Sequence, residues 1–144
     1  MSDQSRALFR RQGLRCTKQR DVIYRTLLAC KSHPTAEELH DQVRADEPGL
    51  SLATVYNTLE VFSTRGLCRC LPSVIGGGAA RYDADLSDHV HLTTPDGKVL
   101  DVPDDLSERL LDGLSEELIA ELERRTGLRI GRISLQLVIS DKSA

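Results

Sequence analysis

Tryptophan is absent from this chain of 144 residues, and tyrosine and phenylalanine contribute only three and two side chains. The core must therefore be assembled from aliphatic residues. Paired cysteine motifs are missing too: Cys16, Cys30, Cys68 and Cys70 include no C-x-x-C, which removes the usual thiolate zinc knuckle and the dithiol redox motif. All four are expected to be structural. Cys68 and Cys70, two apart in an expected strand, would share a face and leave a two-thiolate site open. No apolar run approaches the roughly 20 residues that span a bilayer. Residues 1–12 are polar and arginine-rich, without the apolar core of a signal peptide. The expectation is a cytoplasmic protein with no membrane partner.

What is present is the composition of an ordinary globular protein, 40% hydrophobic and 28% charged, long enough for one domain or two small ones. The net charge of −3 is unevenly spread. Residues 1–82 carry 12 Lys and Arg against 8 Asp and Glu, whereas residues 83–144 carry 7 against 14. A basic first half suits a polyanion and an acidic second half suits a cation.

The first half reads as helices followed by a hairpin. A short helix is expected over residues 3–12, ended by Gly13. Thr17 is placed to cap a helix through Cys30, with Val22, Ile23, Leu27 and Leu28 as its apolar side. Thr35-Ala36-Glu37-Glu38 has the capping-box pattern and should open a helix to about Asp46. Ser51 should cap a third helix over 52–65, where Leu52, Val55, Leu59 and Phe62 recur at helical spacing and Gly66 closes the end. Ala53, Thr54, Tyr56 and Asn57 are left on the outward side of its first turns, as in a major-groove reader. Strands over 67–74 and 79–84 flank Gly76-Gly77-Gly78. Three helices and a hairpin give the winged helix-turn-helix order.

Beyond Asp83 the character changes, so the expected domains are 1–83 and 84–144. The second should contain a hairpin over 89–102, an amphipathic helix over Leu106–Arg125 and a strand from Arg129 to Ser140. The fold class expected is α+β, a winged helix plus a small α/β dimerisation domain with a three-stranded antiparallel sheet. So small a sheet has little core of its own, and pairing with a second copy would bury the helix, which predicts a homodimer.

The chemistry is concentrated at Asp88-His89-Val90-His91. In a strand, His89 and His91 point the same way. If Pro95-Asp96-Gly97 is a three-residue loop, Thr94 pairs with Lys98 and His91 falls opposite Asp101, within reach of a shared ion. Two imidazoles and a carboxylate suit Fe(II), Mn(II) or Zn(II). His33 and Asp83 are further candidates for the same ion.

Ser51-Leu-Ala-Thr-Val-Tyr-Asn-Thr-Leu59, His33-Pro-Thr-Ala-Glu-Glu-Leu39, Arg81-Tyr-Asp83 and Asp88-His-Val-His91, in this order, resemble the ferric uptake regulator superfamily of metal-dependent repressors. The resemblance extends from about Leu14 to Val138. It implies a homodimer of two-domain subunits that binds double-stranded DNA at AT-rich inverted repeats. It also implies a regulatory metal site of His33, Asp83, His89, His91 and Asp101 spanning the hinge. A bound cation would then fix the domain angle and act as corepressor. For DNA contact it implies Tyr56, Thr54 and Ala53 on bases, Asn57 and Ser51 on phosphate, and Arg15 in the minor groove.

Within that superfamily, Asp at positions 83 and 101 and the Tyr-Asn of Thr54-Val-Tyr-Asn57 resemble the peroxide-sensing branch. There, bound Fe(II) reacts with peroxide and oxidises a ligand histidine, while Mn(II) is an unreactive corepressor. Zn(II) would also occupy the site in vitro. The Cys₄ structural zinc is not expected, because the two C-x-x-C pairs are missing, nor is a third site, where a histidine is replaced by Ile133 although Glu108 remains. Alternative readings are an iron-, haem-, zinc- or manganese-responsive regulator of the same family. The haem-sensing branch resembles the tail Gly131-Arg-Ile-Ser, but no Cys-Pro haem motif is present. A different class, a mononuclear non-haem iron enzyme, would also use two histidines and a carboxylate. The expectation is a regulator and not an enzyme.

Overall fold

The computed structural model describes residues 2–140, so Met1 and the last four residues of the expected second domain lie outside the described residues. The chain divides into two compact units, residues 1–86 and 87–144.

The first unit opens with α1 (Asp3–Arg11), capped by the Ser2 side chain, and α2 (Lys18–Ala29), capped by Thr17. In α3 (Ala36–Val43) both arms of the capping box form: the Thr35 hydroxyl accepts from the Glu38 amide at 3.1 Å, and the Glu38 carboxylate accepts from the Thr35 amide at 3.1 Å. Helix α4 (Leu52–Thr64) starts at Ser51, whose hydroxyl accepts from the Thr54 amide. Its end needs a left-handed residue, and Gly66 (φ +70°) supplies it, letting the Leu67 amide return to the Phe62 carbonyl at 2.8 Å.

Val22, Ile23, Leu27, Leu39, Val43, Val55, Leu59 and Phe62 form the core, joined by Phe9 from α1. Scarce as they are, the aromatics are concentrated. Phe9, Tyr24 and Phe62 stack or meet edge to face with centroids 5.6–5.8 Å apart. Leu28, expected inside, is exposed, and buried Thr58 takes a core position on α4. A hairpin of β1 (Arg69–Leu71) and β2 (Arg81–Asp83) follows, pairing Arg69 with Asp83 and Leu71 with Arg81. Cys68 is buried and Cys70 exposed, so they do not share a face as expected; Cys68 lies outside β1, where strand alternation does not hold.

In the second unit, β3 (His91–Thr93) and β4 (Val99–Asp101) form a hairpin in which His91 pairs with Asp101 and Thr93 with Val99. The turn is closed by the Thr94 amide on the Lys98 carbonyl at 2.9 Å, with Gly97 at φ +86°. After the hairpin come α5 (Asp104–Asp112), α6 (Glu116–Thr126) and β5 (Gln136–Val138).

The second unit departs from expectation in four ways. The sheet has three strands in the order β4-β3-β5, but β5 runs parallel to β3, so it is mixed and not antiparallel. A parallel ladder needs a crossover of a dozen or more residues, and residues 102–135 supply it. The helix expected over 106–125 is two helices, because Gly113 ends α5 and the Ser115 hydroxyl caps α6 by accepting from the Leu118 amide. The last strand is only three residues long, and His89 and Val90 precede β3 instead of lying in it.

Buried Ser107 on α5 anchors the hairpin: its hydroxyl accepts from the Val90 amide at 3.2 Å and donates to the Val102 carbonyl at 3.1 Å. Val90, Val99 and Val102 are buried around it.

Candidate metal centre

Within the second unit, three donors converge. His89 Nε2 lies 3.1 Å and His91 Nε2 3.5 Å from the same Asp101 oxygen, and the two imidazole centroids are 4.4 Å apart. The register that puts Asp101 opposite His91 comes from the three-residue turn, and the anchoring of Val90 fixes the backbone between the two histidines. Both histidines are buried, whereas the Asp101 side chain is 40% exposed.

The protonation of His89 decides what this arrangement can hold. Its Nδ1 is 2.8 Å from the Ser87 carbonyl. A carbonyl only accepts, so Nδ1 must carry a proton, and the neutral ring then turns its Nε2 lone pair toward a carboxylate oxygen. Two acceptors at that distance need a cation or a second proton between them. Cis donors around an ion with bonds of about 2.0–2.2 Å sit about 3 Å apart, so the spacing fits a divalent metal. A histidine that donates its other nitrogen to a carbonyl is the usual arrangement of a metal ligand.

The first unit carries a separate pair. His33 Nδ1 is 3.5 Å from Asp83 Oδ1, and both residues are buried. Asp83 ends β2, and its Oδ1 also accepts from the Asp85 amide at 2.8 Å. His33 is the one residue other than glycine, among the described residues, with positive φ, at +49°. Such a conformation costs about 1–2 kcal/mol in an L-residue, and neighbouring contacts hold it. Arg81 Nη1 donates to the His33 carbonyl at 3.0 Å and to Glu38 Oε2 at 2.9 Å, while the Tyr82 amide donates to the Pro34 carbonyl at 3.0 Å. In the sequence Arg81 stands out only as part of the Arg81-Tyr-Asp83 motif; its separation of two residues from Asp83, which puts both on one face of a strand, is the signal available.

The expected DNA-contact residues lie in the first unit. Ala53, Tyr56 and Asn57 are exposed on α4, with Tyr56 41% exposed. Thr54 is half-buried, its hydroxyl 2.8 Å from that of Ser51, so both side chains are engaged at the helix cap. The Tyr56 phenol donates to Glu37 on α3. That bond holds the phenol above its ordinary pKa and the Glu37 carboxyl below its own. Arg15 is exposed beside an open groove of about 410 Å³ that Arg6, Arg10, Leu14 and Cys16 also line.

Residues 11–127 match the family model described as the ferric uptake regulator family. The chain belongs to this family. A relative, the peroxide-responsive repressor PerR of Staphylococcus aureus, is 36% identical over 100 residues, which cover 69% of this chain and 66% of that protein. The ferric uptake regulator of Pseudomonas aeruginosa, solved with manganese, is 27% identical with a TM-score of 0.70, the alignment covering 99% of this chain and 100% of that one. A zinc-bound manganese uptake regulator is also 27% identical, with a TM-score of 0.65 and 92% and 95% of the two chains covered. The ferric uptake regulator fold thus extends over nearly the whole chain. Among the described residues, no helix is long and apolar enough to cross a membrane.

Proposed function

We propose that this chain is a metal-dependent, DNA-binding transcriptional repressor whose regulatory cation is Mn(II) or Fe(II). The observation that carries this reading is the pair of buried imidazoles aimed at one Asp101 oxygen, with the tautomer of His89 set by the Ser87 carbonyl. His33, Asp83, His89, His91 and Asp101 are the ligands in this proposal, and the bound ion supplies the positive charge that lets their acceptors share one point. A nitrogen and oxygen donor set without thiolate favours Mn(II), Fe(II) or Zn(II) over softer ions. An ion drawing on both donor sets would favour one arrangement of the domains 1–83 and 84–144, and DNA affinity would follow metal occupancy.

The DNA surface in this reading consists of Tyr56, Thr54 and Ala53 on bases, Asn57 and Ser51 on phosphate, and Arg15 in the minor groove. The seven Lys and Arg within residues 1–30, against two acidic residues, support it. A homodimer is proposed because Leu106, Leu110, Leu118, Leu122 and Val138 remain exposed in the single chain. The site of action is the cytoplasm.

Peroxide is the signal we assign. Asp at positions 83 and 101 and the 36% identity to a peroxide-responsive repressor support it. The test compares Fe(II)-loaded and Mn(II)-loaded protein on an AT-rich inverted-repeat duplex before and after hydrogen peroxide. Loss of binding only in the iron form is expected. Equal survival of both forms moves the function to an iron-, haem-, zinc- or manganese-responsive regulator, a second reading favoured by the likeness to the manganese uptake regulator. Peroxide-independent oxygen consumption with a turned-over cosubstrate would instead make the protein an enzyme.

A further inference from the structure

Tyr56 is the fifth residue of α4 and Glu37 the second of α3, and their side chains meet on an exposed surface of the first unit. The phenol donates its proton to Glu37 Oε1. A phenol whose proton is engaged offers only lone pairs to anything else, and a carboxylate offers only acceptors. The pair therefore presents an edge without a donor. In the major groove such an edge matches bases that donate, the N6 amino group of adenine or the N4 amino group of cytosine, and opposes guanine O6 and N7 and thymine O4. The same negative charge repels phosphate whatever the sequence. Glu37 is itself held in the first turn of α3, where the helix dipole favours a carboxylate.

We propose that Glu37 is a specificity-determining residue that acts through Tyr56, orienting the phenol and restricting the operator position it faces to adenine or cytosine, at a cost in overall affinity. This rests on the DNA-binding function proposed above. It predicts two effects of opposite sign from one substitution, which a purely structural role for Glu37 does not.

The test uses the full chain loaded with Mn(II) and a duplex selected by the wild type from a randomised AT-rich inverted-repeat pool. Fluorescence anisotropy then measures affinity for that duplex, for every single base-pair substitution and for random duplex. Glu37→Ala, checked for folding by far-UV circular dichroism, should bind random duplex several-fold more tightly and lose about tenfold discrimination at one operator position. In a Tyr56→Phe background, Glu37→Ala should change discrimination no further. Glu37→Gln removes the charge but keeps an oxygen that accepts the phenol proton, so it should also bind random duplex more tightly while losing less discrimination than Glu37→Ala. Unchanged discrimination in Glu37→Ala overturns the proposal, as does an equal loss in the Tyr56→Phe background, which would make Glu37 act without Tyr56. A wild-type chain that selects no sequence with Mn(II) bound overturns the DNA-binding reading itself, a result distinct from either.

Discussion

Replacing Arg81 with Met tests whether the strained histidine segment is held by its neighbours. Met keeps much of the apolar stem and removes the guanidinium. In the native chain that group bonds the His33 carbonyl at 3.0 Å and Glu38 at 2.9 Å, and its side chain is only 11% exposed. A charge-assisted bond to a carbonyl contributes about 1.5–3 kcal/mol. The Glu38 partner is half exposed, so the ion pair adds less than about 1 kcal/mol. Against this stands the cost of about 1–2 kcal/mol for His33 at φ +49°. Without Arg81 the balance at residue 33 falls to near zero or below, and the segment must be reordered when a cation binds. That ordering appears as about 10–100-fold weaker Mn(II) binding. Titration of the full chain with Mn(II), following free ion by electron paramagnetic resonance, measures it, and circular dichroism confirms that α3 and α4 remain folded. Arg81→Lys should recover only part of the loss, because the shorter side chain carries its ammonium short of the position of Nη1, the one nitrogen that reaches both acceptors. An Mn(II) dissociation constant within twofold of wild type in Arg81→Met would show that Arg81 does not hold the His33 segment for the cation.

Gly97→Ala places a Cβ at φ +86° and should cost about 1–2 kcal/mol of thermal stability while weakening Mn(II) binding, because the turn sets the pairing of His91 with Asp101; unchanged melting and affinity would show that the register does not depend on the turn. Burial raises the Cys68 thiol from 9.0 to about 11. A group whose folded pKa lies above its unfolded value contributes stability that is complete below the unfolded value and lost as pH rises through the folded one. Between pH 9 and 11 the chain should thus lose about 2–3 kcal/mol from this thiol. Urea midpoints at pH 8.5 and 11 should differ less in Cys68→Ala than in wild type, with a residual slope from Tyr82, which burial raises to about 12; equal slopes would place the alkaline loss elsewhere.

Local signals in this chain were legible because each is decided by a few adjacent residues. The caps at Thr17, Thr35 and Ser51 follow from side-chain oxygens that reach amides within one turn. The pairing of His91 with Asp101 follows from turn length alone. The partner of β5 was not legible, since nothing in Gln136–Val138 distinguishes a parallel neighbour from an antiparallel one; that choice belongs to the crossover. The break between α5 and α6 was hidden by leucines that continue at helical spacing across Gly113 and Ser115. For the candidate site, donor types and spacing could be read directly. The groups that orient them could not, because Ser87 bonds through its backbone and Arg81 meets His33 from 48 residues away.

If the histidine and aspartate donors regulate this chain as proposed, its DNA binding depends on a divalent cation. The most direct measurement is anisotropy of a labelled AT-rich inverted-repeat duplex titrated with the chain in Mn(II), then in excess chelator, alongside His91→Ala and with far-UV circular dichroism of each sample. Saturable binding in Mn(II) that disappears with chelator and in His91→Ala, with helix content unchanged, is the predicted result. Equal binding by the chelated protein would mean that the cation does not control DNA binding.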